Sequence, residues 1–377
     1  MKYSVRIALL VVLAALLAFP VIGQEEVQEQ KLLMTYIPNI QFAPMYVAIG
    51  EGFFAEAGLD VSLEYLNEPD VVDLVAANEE QFGVVSGEQV ILATAQGRPI
   101  TYVYEWFQQY PIGIVYSSDL EISSVSDLEG LHIGIPGRFG ATYTGFTTLL
   151  LSADMTETDV ELDEIGFSAP EVFCVGAIDA SVVYVNNEPI QIRNRAQQGD
   201  CGDVTDVAVL SVSDVVDLVS NGIITSQAMI DENPDRVQAM VEAYNTGLQL
   251  TINNPARAYL VSAPFIEGLP LDDDFRAALE LLADQQDMLL EGLPDMEALY
   301  ESHDALYAAL VEDFDSDTLT QLEVLLASIR LWNADLLGYS DLQSWENMQD
   351  TLIALGQLDD RVDLETIFTN DFLSGQE

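Results

Sequence analysis

The chain has 377 residues, of which 63 are acidic and 12 basic, giving a net charge of −51 at pH 7. That balance disfavours nucleic acid, anionic lipid and polyanionic substrates as partners; it describes a solvated acidic surface and says little about fold. Hydrophobic content of 49% is that of a globular protein, and the roughly 350 residues after the leader suffice for two domains with cores.

The chain opens with a basic start (Lys2, Arg6), an apolar run over residues 7–22, and then Gly23-Gln24-Glu25-Glu26. This is the pattern of a secretory signal peptide over residues 1–23. The run is short of the ~20 apolar residues of a membrane span. Val21 and Gly23 suit cleavage after Gly23, and a retained N-terminal anchor is the alternative. The mature protein is therefore expected outside the cytoplasm, in the periplasm or on the outer face of the cell membrane.

Residues 31–36 read as a strand, 45–57 as a helix and 60–65 as an alternating strand. A short amphipathic helix is expected at 70–78, a buried strand at 82–85, a helix from Ser86-Gly87-Glu88 to Gln96, and a strand at 100–104. The pattern restarts after Tyr110-Pro111, with strands at 113–116, 131–135, 160–165 and 180–185 and helices at 141–151 and 169–176. Short strands at 208–212 and 222–226 follow. From Asn233 onward the period is helical, with Pro234 and Pro255 at helix starts. Strands alternating with helices imply two α/β units, each with a mostly parallel sheet covered on both faces. The joints near 106–111 and 207–213 carry no flexible linker and read as a hinge. The expected division is residues 24–111 for one lobe, 112–211 for the second, and 212–377 returning to the first with a helical C-terminal region.

Cys174 and Cys201 form an even, low count in an exported chain, which points to one disulfide. It would close a loop of roughly 27 residues, a contribution of about 3 to 4 kcal/mol in the chain-entropy model; two separate buried thiols are the alternative. The cysteines and the histidines His132 and His303 lack ligand spacing, so no metal is expected. No nucleophile–base pair or nucleotide loop is visible, so neither catalysis nor a cofactor is expected.

Ligands of open α/β sheets sit at the C-terminal ends of strands, and five loops qualify. The first offers Asn39, Gln41 and Phe42, between Pro38 and Pro44. The second offers Ser86 and Glu88, which could instead cap their helix and complement its dipole. The third carries Glu105, Trp106 and Tyr110, rings that can stack on a flat heterocycle and a carboxylate that can accept from its N–H groups. The fourth is the glycine loop with Arg138, Phe139 and Tyr143, where free backbone N–H groups precede a helix. The fifth is Tyr184, Asn186, Asn187 and Glu188, amides able to read donors and acceptors together. Arg138 is the one cation in these loops, while Arg98, Arg193 and Arg195 fall in turns or helices. Receptors for sulfonate, nitrate or phosphate need Arg or Lys in the cleft, so a neutral, flat, hydrogen-bonding ligand fits better.

The segments Tyr36-Ile-Pro-Asn-Ile-Gln-Phe-Ala-Pro-Met-Tyr-Val-Ala48 and Gly52-Phe-Phe54…Gly58-Leu59 resemble the start of substrate-binding proteins of ABC importers. The subgroup is that of receptors for thiamine pyrimidine precursors and riboflavin. Supporting segments are Phe82-Gly-Val-Val-Ser-Gly-Glu-Gln89, Tyr104-Glu-Trp-Phe-Gln-Gln-Tyr-Pro111, Ile133-Gly-Ile-Pro-Gly-Arg-Phe-Gly140, Val182-Val-Tyr-Val-Asn-Asn-Glu-Pro-Ile190 and Ser220-Asn-Gly-Ile-Ile-Thr225. The resemblance implies a type II periplasmic-binding-protein fold: two α/β lobes closing on a ligand, with the helical tail packed on the first lobe. It implies a monomeric receptor that hands its ligand to an ABC permease. The Asn-Ile-Gln-Phe-Ala-Pro opening and the Asn-Asn-Glu-Pro-Ile strand end look closest to the riboflavin branch. Formylaminopyrimidine or hydroxymethylpyrimidine is the alternative ligand. A pyrimidine-synthesising enzyme of the same fold is a more distant one, since such relatives use lysine and histidine and the mature chain has one lysine, Lys31.

Overall fold

A computed structural model describes residues 28–373; the expected leader lies outside them. Among the described residues ten strands form two five-stranded sheets. They are β1 (Gln28–Thr35), β2 (Leu59–Leu66), β3 (Phe82–Ser86), β4 (Ile100–Glu105), β5 (Ile112–Ser117), β6 (His132–Ile135), β7 (Glu161–Glu164), β8 (Ala180–Tyr184), β9 (Val207–Ser211) and β10 (Asn221–Ser226). The first sheet has the order β2-β1-β3-β10-β4 and the second β7-β6-β8-β5-β9. Runs such as Phe-Gly-Val-Val-Ser in β3 are buried throughout because helices cover both faces.

Two features depart from the sequence expectation. The sheets are mixed: β1 lies parallel to β2 and β3, but β10 runs antiparallel to β3 and β4, and β5 antiparallel to β8 and β9. The reason is the crossover. A chain passing between lobes enters each sheet from the cleft side, so β5 and β10 run outward while the wound strands end at the cleft. The helix expected at 45–57 is also broken, into Ala43–Gly50 and Phe53–Glu56, because Gly52 adopts a φ of +85° between them.

The C-terminal region packs on the first lobe. Helix Pro234–Asn253 lies on helix Ala43–Gly50 so closely that a Cβ at Gly247 would stand 2.5 Å from the Pro44 carbonyl. The free edge of β4 is covered by the tail: Tyr102 N–H donates to Ile367 O (2.8 Å) and Glu105 N–H to Gly338 O (2.9 Å). Trp345 stacks on Phe368 with rings 5.2 Å apart and meets Tyr102 edge-on. One tail helix, Ser316–Trp332, also reaches the second lobe, where it packs on helix Glu188–Gln198. The ion pairs found among the described residues each stay within one lobe, such as Arg257–Glu51 in the first and Arg195–Glu171 in the second.

In the second lobe Cys174 ends helix Ala169–Cys174 and bonds Cys201 across 27 residues. Both are buried beside Phe173, Ile178 and Ile192. Replacing both by serine should lower the unfolding free energy of this lobe by about 3 to 4 kcal/mol, read as a shifted urea midpoint; an unchanged midpoint would show that core packing alone holds the loop.

Candidate functional site

β1 ends at Thr35, and Tyr36 takes a φ of +72°. A left-handed tyrosine costs roughly 1 to 2 kcal/mol and marks a turn fixed by its surroundings. The turn places the Tyr36 ring edge-on against Phe167 of the second lobe, with centroids 4.7 Å apart. Asn39 then caps the short helix Ile40–Phe42 by accepting from the Gln41 N–H (3.0 Å), which turns Gln41 and Phe42 inward. After β4, the N–H groups of Trp106 and Phe107 both donate to Asn221 O, at 3.0 and 3.1 Å. From the other lobe β8 delivers Tyr184, and helix Glu188–Gln198 begins at once, with Pro189 in its first turn.

These groups enclose an interlobe cavity of about 30 Å³ lined by Thr35, Tyr36, Gln41, Phe42, Trp106, Phe107, Tyr184, Glu188 and Asn221. Its walls are aromatic: Phe42 lies 5.7 Å from Trp106, Phe107 lies 6.1 Å from Tyr184, and Trp332 stands behind Trp106 at 5.6 Å. Asn186 Nδ2 donates across the cleft to Gln41 Oε1 (2.8 Å) and to Ser328 Oγ (2.7 Å). The Tyr184 hydroxyl donates to Asn221 Oδ1 (3.2 Å). Asn186 Oδ1 and the indole N–H groups of Trp106 and Trp332 are buried without a protein partner. Of these three residues Trp106 lines the cavity, and Asn186 and Trp332 stand outside its lining. The volume is that of about one water molecule, whereas pockets for drug-sized molecules run to about 300–1,000 Å³.

Gln41, Phe42, Trp106, Tyr184 and Glu188, all expected from the sequence, meet at this cavity, and Asn186 bridges over it. Asn187 stands behind: its Nδ2 donates to Glu188 Oε1 (3.2 Å) and its Oδ1 accepts from Gln191 (2.7 Å). Tyr110 is buried and donates to Ala141 O (3.0 Å). Asn39 faces a separate groove of about 340 Å³ at the cleft edge, with Gln191, Asn194, Thr320 and Gln321. Glu105 turns toward Ser340 in the tail. Arg138, Phe139 and Tyr143 do not reach the cavity. Glu157 accepts from both Arg138 (2.6 Å) and Tyr143 (3.0 Å), Glu164 takes the rest of the guanidinium, and the Phe139 ring folds onto Gly137. Opposite charge on the second lobe's own surface thus holds the cation expected in the cleft.

Phe107, in the aromatic crossover loop expected to meet a ligand, also lines the cavity, whereas Tyr36, Asn221 and Thr35 line it without standing out in the sequence. Tyr36 and Asn221 lie in segments that carry the family resemblance, the available signal.

Ser86 and Glu88 lie behind the cavity in a buried set of carboxyls. The Ser86 hydroxyl donates to Glu88, whose Oε2 has no partner. Glu68 accepts from Ser86 N–H (3.1 Å) and Asn221 Nδ2 (3.4 Å), and from the Ala141 backbone of the other lobe. Gly140 (φ +64°) permits this, because a Cβ there would collide with the Glu68 carboxylate. Burial pushes Glu188 up to about 7 and Glu105 up to about 8. Burial also raises Glu68 and Glu88, and the Glu88 charge raises Glu68 further. A carboxyl raised in the fold keeps its proton over a pH range where the unfolded chain has lost it. Stability therefore falls as pH rises from about 4.5 to about 8, by at most ~1.4 kcal/mol per pH unit for each group. The thermal midpoint of the free protein should drop across this range, and Glu188→Gln and Glu105→Gln should each flatten the slope; a wild-type midpoint constant from pH 5 to 8 would refute the assignment.

Residues 39–258 match the family described as NMT1/THI5 like. The riboflavin-binding protein RibY of Chloroflexus aurantiacus is 33% identical over 94% of this chain and 88% of its own. The formylaminopyrimidine-binding protein of Halalkalibacterium halodurans is 25% identical over 62% of this chain and 69% of its own. Among solved structures, the ligand-binding component of an ABC-type import system from Staphylococcus aureus superposes with a TM-score of 0.59 at 12% identity, over 92% of this chain and 97% of that one. The chain belongs to the NMT1/THI5-like family and has the two-lobed fold of periplasmic binding proteins.

Proposed function

We propose that the protein is an extracytoplasmic receptor of an ABC importer that binds riboflavin between its lobes and delivers it to a membrane permease. The observation that carries this reading is the interlobe cavity walled by Phe42, Trp106, Phe107 and Tyr184, with a bridging amide and no Lys or Arg in its lining. Flat rings stack on such walls, and the indole N–H of Trp106, a lining residue, has no protein partner and is a donor of the kind that a heteroaromatic edge can meet. The likeness to RibY supports the choice of vitamin.

A thiamine pyrimidine precursor is the second reading. It is favoured by the Glu188 carboxyl at the cavity, which can accept from an exocyclic amino group, and by the likeness to a formylaminopyrimidine-binding protein. Pyrimidine synthesis, the enzymatic alternative, finds no support in the lining, which contains neither lysine nor histidine. Lys31 pairs with Glu64 and Glu80 at the surface, and His132 with Asp163. No described helix is long and apolar enough to cross a membrane, which is compatible with a receptor that meets its permease from outside.

Riboflavin should quench the protein's tryptophan fluorescence, and Trp106→Ala should weaken binding about 30-fold or more, the ~2 kcal/mol of a buried aromatic anchor. Riboflavin 5′-phosphate should bind far more weakly, because its charge would enter a cleft of buried carboxyls without a cation. Absence of quenching and of any thermal shift well above micromolar riboflavin would refute the riboflavin reading and move the test to the two pyrimidines.

A further inference from the structure

Helix Glu188–Gln198 begins at the cavity and runs along the second lobe, and helix Ser316–Trp332 belongs to the C-terminal region, beyond the residues matched to the family. The two meet in a register of four. Asn186 Nδ2 donates to Ser328 Oγ (2.7 Å), Asn194 Nδ2 to Thr320 Oγ1 (2.8 Å), and Gln198 Nε2 to Ser316 Oγ (2.7 Å). Numbers rise along one helix as they fall along the other, so the pair is antiparallel. Ile190 and Val324, both in the first lobe's apolar cluster, stand at the remaining step. Steps of four keep one face of each helix in contact. The second lobe supplies neutral amide donors throughout. The tail supplies hydroxyls flanked by carboxylates, with Asp317 accepting from Gln198 (2.7 Å) and Glu323 from Asn194 (3.3 Å) and Tyr307 (3.3 Å).

We propose that this ladder is a clasp by which the C-terminal region holds the second lobe closed and sets Asn186 and Glu188 at the cavity. Asn194 and Gln198 are then positioning residues for ligand retention, although neither lines the cavity. The argument rests on the cleft-binding reading above only for its ligand readout. The Asn194–Thr320 rung lies at the open groove shared with Gln191 and Gln321, and the Gln198 rung is exposed. Each bond there exchanges readily for one to water, so the clasp biases closure and still opens. A ligand that needs the closed form binds in proportion to the population of that form.

Asn194→Asp tests this with almost no change of shape, since it sets a carboxylate against Glu323. In the ligand-free chain the radius of gyration from small-angle scattering should increase. Riboflavin should leave about tenfold faster while its association rate changes little, and the thermal midpoint should stay within a few degrees. Adding Glu323→Gln to the same chain should restore both the compact scattering and the slow release. Gln198→Ala, which removes a rung without adding charge, should move both readouts less and in the same direction. Unchanged scattering and release in Asn194→Asp, or failure of Glu323→Gln to restore them, overturns the clasp. A wild-type protein that does not bind riboflavin refutes the ligand reading alone, and the scattering comparison still decides the clasp.

Discussion

The lobes meet without an ion pair between them. Among the described residues the ion pairs stay inside one lobe or the other, and the contacts that cross are hydrogen bonds and rings: Asn186 to Gln41, Tyr184 to Asn221, Asn194 to Thr320, Tyr36 on Phe167, with carboxylates entering only as acceptors from neutral donors, as Glu68 does from Ala141 and Asp317 from Gln198. A chain with 63 acidic and 12 basic residues has few cations to place in a cleft, and those near it are held by local carboxylates. What remains between the lobes is satisfied by hydrogen bonds from neutral donors, and burial raises the Glu188 carboxyl to about 7. The chemistry of the cavity follows, because an anion brought there would meet no counter-charge.

The crossover between the two sheets gives this surface its geometry. Strands β5 and β10 both start at the crossover and run outward, so the ends of the wound strands and the starts of the returning ones converge on one line. Trp106 and Phe107 sit on that line because their N–H groups are tied to the Asn221 carbonyl. Asn186 and Tyr184 come from the second lobe and complete the enclosure.

Much of this was legible in the chain. Alternation and short apolar runs located the strands, and the rule that ligands collect at strand ends picked out Gln41, Phe42, Trp106, Tyr184 and Glu188, which do share a cavity. Three things could not be read. Helix Glu188–Gln198 is too polar to show a buried stripe, so only Pro189 at its start and Gly199 at its end marked it. Arg138 looked like a cleft cation because nothing local reveals that Glu157 and Glu164 converge on it in three dimensions. The tail was read as cover for the first lobe, and its reach to the second depends on a register between helices more than a hundred residues apart.

Gly140 carries a consequence of its own. It belongs to the second lobe, yet its lack of a side chain serves a carboxylate of the first, and one added methyl group would act as a wedge between the two. The fit at this point is keyed from outside the loop that contains it, so the residue at 140 is constrained by a side chain of the opposite lobe.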